Sequence, residues 1–470
     1  MIMKKIVSVS MILAVAMAFN GCSGEEDDIF KNSAAERLNA ASALYSARLT
    51  AQPNGWAMQY YPTYDDSAPN GKGYLLLTRF NKDFTVDVSG YDWPYWRYER
   101  VGDAQNSSQE WVSHYYNEYR EATSFWEVIT DNGPVLSFNS YNANMHYFSD
   151  PDFRETGTGF GGDYEFIVVE APEDASYMML KGKKRGTYNL LTPIEEGIVY
   201  ADYMADVKGF HNSIFPETEL ISNLVHFGDT VYRMDGSNDG LPNIYPYDGD
   251  AIANENFNPF LITKRGDDYY LRFRDAFERD DMEGSLQELR YVPADDQFVG
   301  VDNEAFRITG FPPAWFFNQA LQRGQRFLVS SSSPMSEKMS ELYEGMRKEL
   351  NSKLNFTVTN FQIVSAGAER DSLSAVINYR VRRGSTYVTG VLSVLFDYTF
   401  DENTLTIGQP VVDEYTASRM ELAPKVKELF DKLAGTLYVK PAESAFNLNR
   451  LVLTRADDEN YWFVITHSTN

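Results

Sequence analysis

YLLLTRFNKDFTVDVSG, from Tyr74 to Gly90, is the stretch of the sequence that decides the fold. Its two halves, 74–80 and 84–90, are rich in β-branched and aromatic residues, and three polar residues, among them Asn81 and Asp83, separate them. Short runs of this composition, bounded by residues that favour turns, are typical of adjacent antiparallel strands. The stretch therefore predicts two strands that pair with one another.

The same pattern repeats along the chain from residue 56 to about residue 193. Further short segments of this kind are PVLSFNSY (134–141), MHYFSD (145–150), YEFIVVE (164–170), YMMLKGK (177–183) and GTYNLLTP (186–193). Because they are closely spaced and separated by Asn, Asp, Gly and Pro, they predict an antiparallel meander that forms either a barrel-like or a strongly curved sheet.

A helix is predicted immediately before this meander. SAAE, from Ser33 to Glu36, has the spacing of a capping box, in which the two side chains satisfy each other's backbone amides. Pro53 and Gly55 end the element. Before them, apolar residues recur on one helical face: Leu38, Ala41, Tyr45 and Leu49. We therefore expect a first domain at 33–195, made of a helix and the meander.

The rest of the chain is expected to form a second β-rich region at 196–329 and a C-terminal domain at 336–470, separated by a linker at 330–335 that contains SSSSP. Helical spacing of Met339, Leu342, Met346 and Leu350 and a second helix from Pro424 flank strand-like segments. This predicts an α+β domain with helices on one antiparallel sheet. The whole chain is thus predicted to be α+β and mostly β.

The N-terminus has the features of a cleaved leader. Lys4 and Lys5 precede an uncharged apolar run at 6–19, which is short for a membrane span, and the only cysteine, Cys22, follows. We interpret 1–21 as a lipoprotein signal peptide, Cys22 as the lipidated residue and 22–32 as an acidic tether. An ordinary signal peptide with an incidental cysteine is the alternative.

The charge of the chain restricts its partners. The formal net charge is −25 at pH 7, with 67 acidic against 42 basic residues, and no long basic run offsets it. Such an excess repels nucleic acid, so we exclude nucleic acid as a partner.

Three segments carry a resemblance to a known family. SFWEVITDNGPVLSFNSYNANMHYFSDP (124–151), GFGGDYEFIV (159–168) and LKGKKRGTYNLLTPI (180–194) resemble a Bacteroidota lipoprotein family of unknown function, domain-of-unknown-function family 4302. The resemblance implies that the protein is encoded near outer-membrane nutrient-uptake systems and that a TonB-dependent uptake complex is its partner. It implies no catalytic residues, and the segment 90–123 is an addition to the family pattern.

No catalytic signature is present in the sequence. No G-x-S-x-G elbow occurs, and the single cysteine is assigned to lipid. The five histidines are not arranged as a zincin-type motif; they are His114, His146, His211, His226 and His467. A glycan or peptide hydrolase that uses an unrecognised carboxylate pair remains an alternative.

One loop is a candidate calcium site. In DGSNDG, Asp235, Ser237 and Asp239 alternate before Gly240, as in the first half of a calcium-binding loop. The twelfth position is Pro246 rather than a glutamate, and Asp248 and Asp250 could substitute. A solvated turn is the alternative, and we expect no other cofactor.

The most unusual composition lies between Gly90 and Trp126. Aromatic residues are concentrated there beside polar ones, and the candidate ligand-binding residues are Trp93, Tyr95, Trp96, Tyr98 and Trp111. Flat aromatic faces next to hydrogen-bonding groups suit sugar rings, whereas the same residues could form the core or a lid of the meander.

Together these observations predict a non-catalytic lipoprotein of the outer membrane, anchored by lipid and facing the cell surface, with the periplasmic face as the alternative. We expect it to bind a glycan or another nutrient ligand as an accessory to uptake. A structural or adhesive surface module is the further alternative.

Overall fold

The computed structural model describes residues 33–65, 71–102, 106–131, 133–151, 157, 159–216, 222–247, 257–278, 284–367 and 372–469. The predicted signal peptide, Cys22, the acidic tether, Asp248 and Asp250 lie outside these residues. Within the described ranges, no helix combines the length and the apolar character that a membrane crossing requires.

The helices of the described residues are α1 (Ala34–Leu49), α2 (Tyr200–Ile214), α3 (Pro313–Gln322), α4 (Glu337–Leu354), α5 (Glu414–Leu422) and α6 (Pro424–Asp431). The first sheet contains β1 (Trp56–Tyr60), β2 (Tyr74–Phe80), β3 (Thr85–Gly102), β4 (Ser107–Phe125), β5 (Glu127–Thr130), β6 (Pro134–Ser137), β7 (Glu165–Glu170), β8 (Met178–Gly182) and β9 (Tyr188–Pro193). The second contains β10 (Ser222–Phe227), β11 (Thr230–Asp235), β12 (Asn243–Pro246), β13 (Phe260–Arg265), β14 (Asp268–Phe277), β15 (Leu286–Val292), β16 (Gln297–Gly300) and β17 (Phe306–Gly310). The third contains β18 (Arg326–Val329), β19 (Phe356–Ser365), β20 (Ser372–Arg383), β21 (Thr386–Asp401), β22 (Thr404–Ile407), β23 (Val411–Val412), β24 (Gly435–Pro441), β25 (Arg450–Arg455) and β26 (Trp462–Ser468).

The first sheet is an antiparallel meander, as predicted. The hairpin β2–β3 places Thr78 opposite Val88, and the meander order is interrupted only where β1 pairs with β9. The capping box of α1 is also confirmed: the Glu36 amide donates to Ser33 Oγ at 3.2 Å, and the Ser33 amide donates to Glu36 Oε2 at 2.8 Å. α1 lies against β5 and β6 and adds Leu49 to the core of this sheet.

A two-stranded ribbon projects from this sheet. β2 pairs with β3 only between Val86 and Ser89, so from Gly90 onward β3 pairs with β4 alone. Pro94, which has no N–H to donate, is accommodated there because the other side of β3 carries no ladder at that position. We use the term ribbon for residues 90–102 and 107–120.

The second sheet curls until its two ends meet. Its order runs from β12 to β13, and beside these strands the Asn258 amide donates to the Pro242 carbonyl at 2.8 Å and the Phe260 amide to the Gly240 carbonyl at 3.0 Å. The helix α2 was not predicted from the sequence. It packs in one apolar cluster with Ala57 and Leu77 of the first sheet and with the inward residues of the second.

The third sheet confirms the predicted antiparallel sheet with helices, and its pairings close eight of its strands into a barrel. Buried residues of α3, α4 and α6 share its core. This sheet already includes β18, which precedes the predicted linker at 330–335, so the sheet begins before the linker rather than after it. The domain boundaries themselves stay a prediction.

Three sequence expectations differ from the structure. MHYFSD was expected to be a strand, but His146–Phe148 form a 3₁₀ turn. Directly before this turn, Asn142 Oδ1 accepts the amides of Asn144 and Met145. The second region, predicted as β-rich, does contain the strands β10 to β18, and it also contains α2 and α3, which were not predicted. α5 is a further helix that was not predicted; Asp413 caps it by accepting the Thr416 amide at 2.7 Å.

Candidate functional site

A cavity of about 780 Å³ lies between the ribbon, α2, the turn at 238–240 and the first residues of β13. We call it the ribbon cleft. Its volume is within the range of small-molecule sites, about 300–1,000 Å³. Tyr91, Tyr95 and Tyr115 contribute aromatic rings, whereas Met204, Phe215 and Ile262 form an apolar part of the wall.

The ribbon wall of the cleft is shaped by an irregularity in β3. The register between β3 and β4 shifts between Gly90 and Asp92, and Asp92 then lies opposite Asn117. A bulge of this kind bends and twists a strand and redirects its side chains. Further along the ribbon, the ring of Tyr95 stacks on that of Tyr116, with centroids 4.1 Å apart.

Two lysines stand over aromatic rings of the ribbon. Lys208 Nζ donates to Asp92 Oδ1 at 2.5 Å and to Asn117 Oδ1 at 2.8 Å, and it lies 4.4 Å from the ring centroid of Tyr91. Lys72 Nζ lies 4.2 Å from the ring centroid of Tyr115. These contacts connect α2 and the segment before β2 to the ribbon, and they hold the tyrosine rings in place.

Burial lowers the pKa of Lys72, and the negative charges of Asp92 and Asp239 oppose this shift. The ammonium group therefore loses part of its hydration in the cleft and gains attraction from two nearby carboxylates. Two lysines and two aspartates line the cleft, so their formal charges cancel.

His211 supplies a neutral hydrogen-bonding group to the same cleft. Its Nε2 lies 3.0 Å from the carbonyl oxygen of Asn238, so the ring donates its proton there. Burial lowers the pKa of His211 to about 4; the hydrogen bond to Asn238 opposes this shift, and the charge of Lys72 adds to it. The imidazole is therefore neutral at pH 7.

The cleft thus combines aromatic rings, an apolar wall and hydrogen-bonding groups of both kinds without a net charge. Asn117, Asn212 and Asn238 add amide groups to the lysines, aspartates and His211. This arrangement suits a neutral ligand with many hydroxyl groups, because each hydroxyl can both donate and accept a hydrogen bond while the C–H faces contact the rings.

The structure separates the five predicted ligand-binding aromatic residues. Tyr95 alone lines the cleft. Tyr98 and Trp111 are exposed on the outer part of the ribbon, with ring centroids 5.3 Å apart, and Trp96 is half-buried against the core of the first sheet. Four of the five candidates therefore lie outside the cleft wall.

The position of Trp93 contradicts the hypothesis that this residue binds a ligand. Its side chain is fully buried, its Nε1 donates to the Glu118 carbonyl at 3.2 Å, and its ring packs edge-on against Tyr147 at 5.6 Å. A ring with no exposed face cannot stack on a sugar. For Trp93 the alternative, a core residue of the meander, is the correct one.

Two of the three described members of the calcium candidate, Asp235 and Ser237, are engaged by protein groups. The Tyr245 hydroxyl donates to Asp235 Oδ2 at 2.5 Å, and Asn223 Nδ2 donates to the buried Ser237 Oγ at 3.1 Å, whereas Asp239 lines the ribbon cleft. No group of three or more potential metal ligands is found within the described ranges. Since Asp248 lies outside them, calcium binding stays a prediction.

Sequence reasoning did not identify Lys72 as a site residue, and it missed Lys208 and His211 because α2, which carries both, was not predicted. A signal was present: Tyr200, Tyr203, Met204 and Val207 are buried at the three- and four-residue spacing of a helix. The flanking strand-like segments obscured it.

A family model described as Domain of unknown function (DUF4302) matches residues 26–283. No curated protein matches the chain. Among solved structures, japanin from Rhipicephalus appendiculatus bound to cholesterol aligns at 9% identity and a TM-score of 0.20, covering 32% of this chain and 77% of that one. A DNA polymerase sliding clamp from Pseudomonas aeruginosa aligns at 10% identity and a TM-score of 0.12, covering 93% and 98%. Neither likeness is close enough to support a conclusion.

Proposed function

The chain belongs to the DUF4302 family, and we propose that it is a non-catalytic, lipid-anchored protein of the outer membrane that binds a glycan in the ribbon cleft. The observation that carries the glycan proposal is the composition of the cleft, where the rings of Tyr91, Tyr95 and Tyr115 stand beside neutral and mutually compensating polar groups. The partner chemistry is a sugar with exposed hydroxyl groups and apolar C–H faces.

The anchor proposal rests on the N-terminal sequence. An apolar run that follows Lys4 and Lys5 and ends in the only cysteine of the chain, Cys22, has the order of a lipoprotein leader. On the surface of a Bacteroidota cell, such a protein would pass its ligand to a TonB-dependent uptake complex. Mass spectrometry of the native protein tests this directly, because a free thiol at position 22 or an intact leader contradicts the anchor.

Binding without catalysis is favoured by the state of the cleft carboxylates. A glycosidase needs two carboxyl groups that can exchange protons or attack the sugar. Asp92 is instead held by Lys208 Nζ, which is also bonded to Asn117. This network fixes Asp92 as a structural acceptor, and Asp239 is the other carboxylate among the residues found to line the cleft.

A calorimetric screen of neutral oligosaccharides tests the glycan proposal, and Tyr95→Ala is the informative variant. Loss of a stacked ring removes about 0.5–1.5 kcal/mol, so we expect affinity to fall about two- to tenfold. Tyr98→Ala is the matched control, because Tyr98 lies three residues further along the same strand and outside the cleft. The control should bind like the unmodified protein.

Other outcomes contradict the proposal in different ways. If Tyr98→Ala loses binding and Tyr95→Ala retains it, the ligand binds the outer part of the ribbon rather than the cleft. If no oligosaccharide produces heat with the unmodified protein, the glycan proposal is wrong. Release of reducing ends from any of the ligands would replace binding by hydrolysis.

A further inference from the structure

A second cavity, of about 330 Å³, lies between the first and second sheets and shares no lining residue with the ribbon cleft. We call it the arginine cavity. Gln59 of β1 and Leu190 of β9 line it on the first sheet, whereas Arg272 and Arg274 of β14 line it on the second. Its walls therefore come from segments more than two hundred residues apart in the sequence.

The two arginines of this cavity differ in their partners. Arg274 is buried; its Nε donates to Asp275 Oδ2 at 2.7 Å, and its guanidinium lies 4.8 Å from the ring centroid of Tyr64. No ion pair joins Arg272 to a carboxylate within the described ranges. Its Nη2 and Nη1 instead donate to the side-chain oxygen of Gln287 at 3.1 and 3.2 Å, in the amide orientation that places this oxygen towards the guanidinium.

The carboxylate that lies opposite Arg272 in the sheet is already engaged. Glu288 lies opposite Arg272 in the register of β14 and β15, but it accepts hydrogen bonds from Arg265 Nη1 at 3.1 Å and from Arg265 Nη2. The cavity therefore holds one guanidinium charge more than it holds carboxylates, in a chain whose net charge is −25. A half-buried charge in this situation favours a negative partner.

Gln59 provides a second, independent observation. Its side chain is 1% exposed, and its Nε2 has no hydrogen-bond partner among the described residues. A buried amide that leaves a donor unpaired is costly, about 1–3 kcal/mol. The cavity thus contains both an excess positive charge and an unpaired donor, and one acceptor-rich anion would satisfy both.

We propose that the arginine cavity binds a small carboxylate. The guanidinium of Arg272 would pair with the carboxylate in the planar, two-bond geometry that arginine favours, and Gln59 would donate the additional hydrogen bond. Tyr188, Met179 and Leu190 offer contact to an apolar or aromatic remainder. A volume near the lower end of small-molecule sites fits a single small acid and is too small for an oligosaccharide.

Isothermal titration calorimetry of the full chain with sodium benzoate at low ionic strength tests this proposal. We expect one molecule bound per chain, and no binding of benzamide, which has the same shape but no charge. Arg272→Met should weaken benzoate binding at least about tenfold, since it removes a charged hydrogen-bond donor. Arg290→Met is the matched control, because Arg290 lies in β15 of the same sheet, pairs with Asp268 and does not line the cavity.

Gln59→Leu keeps the test decisive if Arg272→Met fails to fold. This change removes the unpaired amide at nearly constant volume, so it should weaken benzoate binding without lowering the melting temperature. The proposal is overturned if neither benzoate nor benzamide binds, if benzamide binds as well as benzoate, or if both cavity variants bind normally. Equal binding of inorganic phosphate would show a general anion site instead of a carboxylate site. Glycan affinity should be the same in all these variants, so the outcome is independent of the ribbon cleft.

Discussion

Acidification should destabilise the protein through His211, which lines the ribbon cleft. In the folded state burial lowers the pKa of His211 to about 4, whereas an unperturbed histidine titrates near 6.5. Between these two values the unfolded chain binds more protons than the folded one. As far as His211 is concerned, the free energy of unfolding is therefore highest above pH 6.5 and decreases as the pH falls towards 4.

The size of the effect follows from the two pKa values. Between pH 7 and pH 5, linkage predicts a loss of about 2 kcal/mol in the free energy of unfolding from this one residue. This is an upper value, because His211 is half-buried rather than fully enclosed and retains some contact with solvent. A loss of this size is a large fraction of the stability of an ordinary domain.

The variant His211→Gln isolates this contribution. Glutamine retains an N–H that can donate to the Asn238 carbonyl, but it does not titrate. Urea unfolding at pH 7, 6 and 5 should show a smaller loss of stability in the variant than in the unmodified protein, by about 2 kcal/mol at pH 5.

A direct measurement can refute this reasoning. The chain contains only five histidines, so the imidazole signals of protein with labelled histidine can be followed individually by NMR. If the signal that disappears in His211→Gln titrates at pH 6.5 or above, burial does not control this ring. Equal pH dependence of the unmodified protein and the variant would lead to the same conclusion.

Two further predictions concern buried and exposed aromatic residues. Trp93→Ala should lower the free energy of unfolding by about 3–5 kcal/mol, because the side chain is fully buried. Trp111→Ala, at a ring that is 41% exposed, should change it by less than about 0.5 kcal/mol. Thermal unfolding of both variants checks this, and equal effects would contradict the assignment of Trp93 to the core. Phe446→Ala should lower the free energy of unfolding by about 3–5 kcal/mol, because Phe446, between β24 and β25 of the third sheet, packs against Phe215 and Phe298 in the core of the second. Urea unfolding measures this loss, and an unchanged midpoint would show that the two sheets are not coupled at Phe446.

Much of the fold could be predicted because its signals are local. The hairpin at Tyr74–Phe80 and Thr85–Gly102 is encoded in short apolar runs and the turn between them, and the capping box at Ser33 and Glu36 lies within four residues. The helix α2 was missed for a different reason. Its pattern is helical, but it lies among strand-like segments and is stabilised by packing against Ala57 and Leu77, which are more than a hundred residues away.

The candidate site could be predicted only in part. The aromatic composition of the segment after Gly90 indicated the correct part of the chain, since the ribbon does line the cleft. Which rings face it could not be read from composition or from strand alternation, because Trp93 and Tyr95 are two residues apart in β3, yet Trp93 is fully buried and Tyr95 lines the cleft.

The sequence by itself determined the mostly β architecture, the N-terminal helix, the family and the excess of acidic charge, because these depend on composition and on neighbours along the chain. Only the tertiary structure decided where binding groups converge. Lys72, Tyr115 and His211 share one cleft, and Gln59 and Arg272 share another, because burial of apolar surface between sheets brings distant strands together.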